Sequence, residues 1–63
     1  MEKNYYELLR EKRGRRSRAE VASAVGISVS ALAMYELGLR VPRDDVKVRL
    51  AKYYKTSVQR LFF

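Results

Sequence analysis

The stretch RAEVASAVGISVSALAMYEL, Arg18 to Leu37, constrains the fold more than any other part of the chain, because it carries two short helical stripes parted by one glycine. Val21, Ala22 and Val25 repeat at helical spacing, and Leu32 with Tyr35 does so again beyond Gly26. A glycine there can take the left-handed conformation that ends a helix, after which Ile27 can point back toward a core. Ser17 and Ser28 stand where each helix should begin, and a hydroxyl at that position accepts an orphan backbone N–H. Ser17-Arg18-Ala19-Glu20 reads further as a capping box, with Glu20 reaching back to the Ser17 N–H. The spacing predicts a helix-turn-helix hinged at Val25-Gly26, in which Ala22 supplies the small side chain that a steep crossing of two helices requires.

The flanking segments read as helices too. Asn4 to Arg13 carries Tyr5, Leu8, Leu9 and Lys12 on one face, with Asn4 as a cap and Gly14 as the stop. After Leu37, the run Gly38-Leu39-Arg40-Val41-Pro42 is a loop, since Gly38 suits a helix C-cap and Pro42 disfavours helix at the residue before it. A fourth helix begins at Asp44 or Asp45, either of which can cap it, and carries Val46, Leu50, Tyr53 and Tyr54 as an apolar stripe on one side. Ser57 opens a last short helix with Val58, Leu61 and Phe62 on its apolar side. The expectation is an all-α chain, one compact bundle of about five short helices spanning residues 1–63, with the helix-turn-helix at about 18–37.

Composition narrows the function. The 63 residues include no Cys and no His, which removes disulfides, the usual zinc constellations and the commonest catalytic bases. No enzyme, no cofactor and no metal are expected, and stability must come from packing in a chain that buries only a modest core. Fourteen Lys and Arg against seven Asp and Glu give a formal charge of +7, which points to a polyanionic partner. No apolar run approaches the ~20 residues of a membrane span, and MEKNYYELL lacks a secretory signal, so a cytoplasmic location is expected.

The segment GISVSALAMYELGLRVP resembles the turn, recognition helix and following loop of the Cro and lambda-repressor-like (Xre) family of DNA-binding domains. The resemblance extends through LLREKRG and SRAEVASAVGIS to RLAKYYKTSVQRLFF, and so over nearly the whole chain. It implies a sequence-specific transcriptional regulator of double-stranded DNA, a repressor of phage or mobile-element type, acting as a homodimer with helix 28–37 in the major groove and needing no small-molecule ligand. Val29, Ser30, Ala33 and Met34 then face bases, and Arg18, Ser28, Arg40, Arg43 and Lys47 face phosphates. Arg10 and Glu36 are expected to form the ion pair that holds the first and third helices together in this family.

Three positions depart from the family pattern. Arg18 stands where many members carry a glutamine, Lys47 stands where an apolar residue is common, and the outward positions of the recognition helix hold no Arg, Asn or Gln. Bidentate base pairs contribute roughly 1–3 kcal/mol of discrimination each, so without them readout falls to the Ser30 hydroxyl, to thymine-methyl contacts and to DNA shape. The same apolar outer face keeps a second reading open, a protein-interaction module of anti-repressor or antitoxin type. A dimer surface is expected in the C-terminal third, at Tyr53, Tyr54, Phe62 and Phe63, because so small a domain cannot bury all of these with Leu61.

Overall fold

The structure, a computed structural model, describes residues 3–63, and its regular elements among them are all helices, with no strand. Helices α1 (Tyr5–Arg13), α2 (Arg18–Val25), α3 (Val29–Glu36), α4 (Asp44–Tyr53) and α5 (Val58–Phe62) follow one another with short connections. The all-α bundle expected from periodicity is the fold observed.

Local signals account for most of the helix ends. Ser17, Ser28 and Ser57 are the N-caps of α2, α3 and α5, each hydroxyl accepting the N–H three residues on at 3.0–3.1 Å. The reach-back half of a capping box occurs at α1, where the Asn4 N–H donates to Glu7 Oε1 at 3.2 Å, rather than at α2, where only the Ser17 half forms. The α4 cap also differs from expectation. Arg43 is its N-cap residue without a side-chain bond, and Asp44 and Asp45 lie inside the first turn, where they act on the helix dipole.

Gly26 ends α2 in the left-handed region (φ 83°), and its N–H and that of Ile27 both bond the Ala22 carbonyl, which reverses the chain within three residues. After α3, whose C-cap is Leu37, Gly38 is also left-handed at φ 74°, and a Cβ there would lie 2.8 Å from the Tyr6 ring of α1. The loop after α3 is thus pressed against α1, and the Tyr5 hydroxyl fixes it further by donating to the Arg40 carbonyl at 3.1 Å.

The core draws on every helix: Leu9 from α1, Val21, Ala22 and Val25 from α2, Leu32 and Tyr35 from α3, Val46, Leu50 and Ala51 from α4, and Leu61 from α5. Ala22 is buried on α2, which packs against α3, and a larger side chain there would overpack the core. One expectation for the C-terminal third needs correction. Tyr54 is a core residue, because α4 ends at Tyr53 and the following turn directs Tyr54 inward, so it cannot serve a dimer surface. Tyr53 is half-buried beneath the Arg16 guanidinium, which lies 5.2 Å from its ring and donates to its hydroxyl at 3.2 Å. Phe62 is half-buried against Tyr5, and Phe63 alone of the four is exposed.

The Tyr54 hydroxyl is buried and has no hydrogen-bond partner among the described residues. Burial first, and then the Glu36 carboxylate, push its pKa from the ordinary 10.0 up to about 12, while the Arg16 guanidinium pulls the other way. The folded state therefore keeps this proton at pH values where the unfolded chain has lost it. Stability present below pH 10.0 is lost as the pH rises toward about 12. Wild type should lose about 1 kcal/mol more than Tyr54→Phe between about pH 9 and about pH 11 in urea unfolding. At neutral pH the variant should be at least as stable as wild type, since it removes an unsatisfied group. Equal alkaline losses in the two proteins would contradict this account.

Candidate nucleic-acid interface

The outer face of α3 follows from its register. Leu32, Tyr35 and Glu36 face inward and are buried, which leaves Ser28, Val29, Ser30 and Met34 exposed and Ala33 half-buried. The four residues expected at base edges therefore share one surface, with Ala33 the most recessed. Ser28 Oγ is occupied as the α3 cap, but its O–H can still donate outward. Beyond α3 the exposed side chains alternate between aliphatic and basic: Leu37, Leu39 and Val41 with Arg40 and Arg43. Neither Arg40 nor Arg43 enters an ion pair among the described residues, so both guanidinium groups are available to an external anion.

Two of the residues expected at phosphate sit differently. Lys47 has a side chain only 13 % exposed, 4.0 Å from Asp44 and 4.9 Å above the Phe63 ring, so its ammonium is engaged with the C-terminus. That geometry removes it from the phosphate set: its stem packs and its charge is used internally. Arg18, the first residue of α2, directs its Nε to Glu36 Oε1 at 2.8 Å and leaves its Nη groups unbonded among the described residues.

The expected ion pair between Arg10 and Glu36 is not the one the fold makes. Glu36 is fully buried, and its two carboxylate oxygens each accept from an arginine Nε at 2.8 Å, Oε1 from Arg18 and Oε2 from Arg13. Arg10 instead donates to the Glu36 main-chain carbonyl at the C-terminal end of α3. Arg10 and Arg13 lie three residues apart on one face of α1, so the sequence places both near Glu36, and only the packing decides which reaches the carboxylate. Arg13 was missed for that reason. Arg16 also turns inward, onto the Lys12 and Arg13 carbonyls and the Tyr53 and Tyr54 rings. In the turn between α1 and α2, Arg15 is exposed and enters no ion pair among the described residues, while Arg18, at the start of α2, is part-exposed and pairs with Glu36.

Two short helices joined at a left-handed glycine, with the second presenting an outward face and held from behind by core aliphatics, define a helix-turn-helix domain. The chain belongs to the helix-turn-helix domain family, whose description matches residues 7–61. No curated protein and no solved structure matches it. The match spans the five helices apart from Tyr5 and Tyr6 of α1 and Phe62 of α5, and the region it covers includes every residue of the interface described above.

Proposed function

We propose that the chain is a sequence-specific, DNA-binding transcriptional regulator that lays α3 in the major groove and acts as a dimer, with repression by occupying DNA as its output. The observation that supports this best is the exposed outer face of α3 followed directly in the chain by Arg40 and Arg43, which are exposed and enter no ion pair among the described residues. On this reading Val29, Ser30, Ala33 and Met34 meet base edges, and Arg18, Ser28, Arg40 and Arg43 meet phosphates. Thymine methyl groups suit Val29 and Met34, and the Ser30 hydroxyl can serve as donor or acceptor to a base edge.

A DNA-retention assay across a salt series tests the reading. Arg40→Ala and Arg43→Ala should each lower the salt slope by about 0.9 and weaken all sequences nearly equally, whereas Ser30→Ala should reorder the preference among sequences. A wild-type protein with little retention at any salt would instead favour the interaction-module reading. The exposed Met34, Leu37, Leu39 and Val41 are what supports that second reading.

For the dimer, Phe63 is the C-terminal aromatic left to pair, at 84 % exposure. Two-fold pairing there would bring two copies of α3 to about one DNA turn, ~34 Å, and imply an imperfectly palindromic operator. Deleting Phe63 leaves the Tyr5–Phe62 packing in place, so light scattering should then report a monomer that is still folded. An unchanged dimer would move the interface elsewhere.

A further inference from the structure

From the arrangement of the buried carboxylate we infer that Glu36 is a positioning residue for DNA binding, aiming the Arg18 guanidinium at a phosphate and tying that anchor to the end of α3. The inference rests on the DNA-binding reading above and assigns a role that the sequence did not suggest. Glu36 holds two arginines by the same atom, Nε, at the same 2.8 Å, yet the two are left in different states. Arg13 is spent: its Nη1 donates to the Arg16 carbonyl at 2.8 Å, and its side chain is 20 % exposed. Arg18 has both Nη groups free of bonds among the described residues, and its side chain is 36 % exposed.

A guanidinium carries five N–H donors in a rigid fork, so a carboxylate bound at Nε fixes the plane of the group and the direction of its far edge. That far edge presents paired donors of the kind that phosphate oxygens accept. Without the buried carboxylate the long Arg18 side chain would sample many rotamers, and ordering one on binding would cost affinity. Glu36 is also the last residue of α3, and Arg10 holds its carbonyl. One residue thus fixes the end of the groove-facing helix against the start of α2, so a shift of base readout and a shift of phosphate anchoring are coupled.

The test compares the two arms of the same carboxylate. Arg13→Met and Arg18→Met each remove one ion pair to Glu36 and keep an apolar stem, so both should lower the melting temperature. Binding is measured on a mixed-sequence duplex across a salt series, at a temperature where circular dichroism shows each variant folded. Arg18→Met should lower the salt slope by about 0.9, and Arg13→Met should leave it at the wild-type value. Glu36→Gln should weaken binding in the wild-type background and add nothing in the Arg18→Met background. Equal slopes for the two methionine variants, or a Glu36→Gln loss of the same size in both backgrounds, would overturn the inference and leave Glu36 as a fold residue only. Wild type without salt-dependent retention would fail the DNA-binding reading itself, and the inference with it.

Discussion

Glu36→Ala should cost about 3–5 kcal/mol, because it leaves two arginines facing a buried site that was built for a carboxylate. The whole stability expected of 63 residues is roughly 3–9 kcal/mol, so this one change consumes a large share of it. For a domain of this size the melting temperature should fall by roughly 20–40 °C. The cost is not the worth of two ion pairs. It is mostly the penalty of uncompensated charge, and Arg13, the less exposed of the two partners, carries more of it than Arg18, which can turn into water. Replacing the whole cluster with apolar groups of similar volume (Glu36→Leu, Arg13→Met and Arg18→Met together) should therefore recover much of what the single change loses. Chemical denaturation of the single and triple variants checks this. A single variant within about 0.5 kcal/mol of wild type would mean that the carboxylate is not the fastener its burial indicates.

How far the sequence reveals these features depends on how local their causes are. Serine caps and glycine stops act within four residues, and Ser17, Ser28, Ser57, Gly14 and Gly26 all mark the helix ends where the fold has them. The Leu32–Tyr35 stripe likewise follows from spacing alone. The ion-pair partners of Glu36 do not, because they depend on how the Gly14–Arg16 turn sets α1 against α2, a displacement that periodicity cannot supply. The same holds for Tyr53 and Tyr54: adjacent residues at a helix end point apart, and which is buried turns on the residue at which α4 stops. Lys47 shows the longest-range case. Its departure from an apolar pattern becomes intelligible only once Phe62 and Phe63, distant in sequence, close over its ammonium. On α3 the register was legible in the sequence, and Val29, Ser30 and Met34 are exposed on its outer side with Ala33 half-buried. The basic residues were harder to read, since a lysine and an arginine look alike in sequence whether they face solvent or a neighbouring ring.

The counterpart to Glu36 in the apolar core is Leu50, and Leu50→Ala should destabilise by about 2–5 kcal/mol. Leu50 is fully buried on α4, whose apolar face packs between α2 and α5. The loss combines the transfer free energy of the removed methyl groups with the void left behind, and relaxation into that void is limited. Val21, Val25 and Leu61 belong to the same core from helices pinned by their own caps, and α5 is only five residues long. Leu50→Met conserves volume and should cost less than about 1.5 kcal/mol, which separates the cavity from any general sensitivity of the position. The two destabilised proteins should also differ in function. Leu50 sits on α4, which packs on α2 and α5 rather than on the outward face of α3, so on the proposed reading Leu50→Ala, kept folded at low temperature, should retain the wild-type salt slope in DNA retention. Glu36→Ala under the same conditions should not, because on that reading it releases the Arg18 guanidinium as well as weakening the fold. Equal slopes for those two variants would show that α3 and its phosphate contacts keep their geometry without the carboxylate, and that the core alone sets the interface.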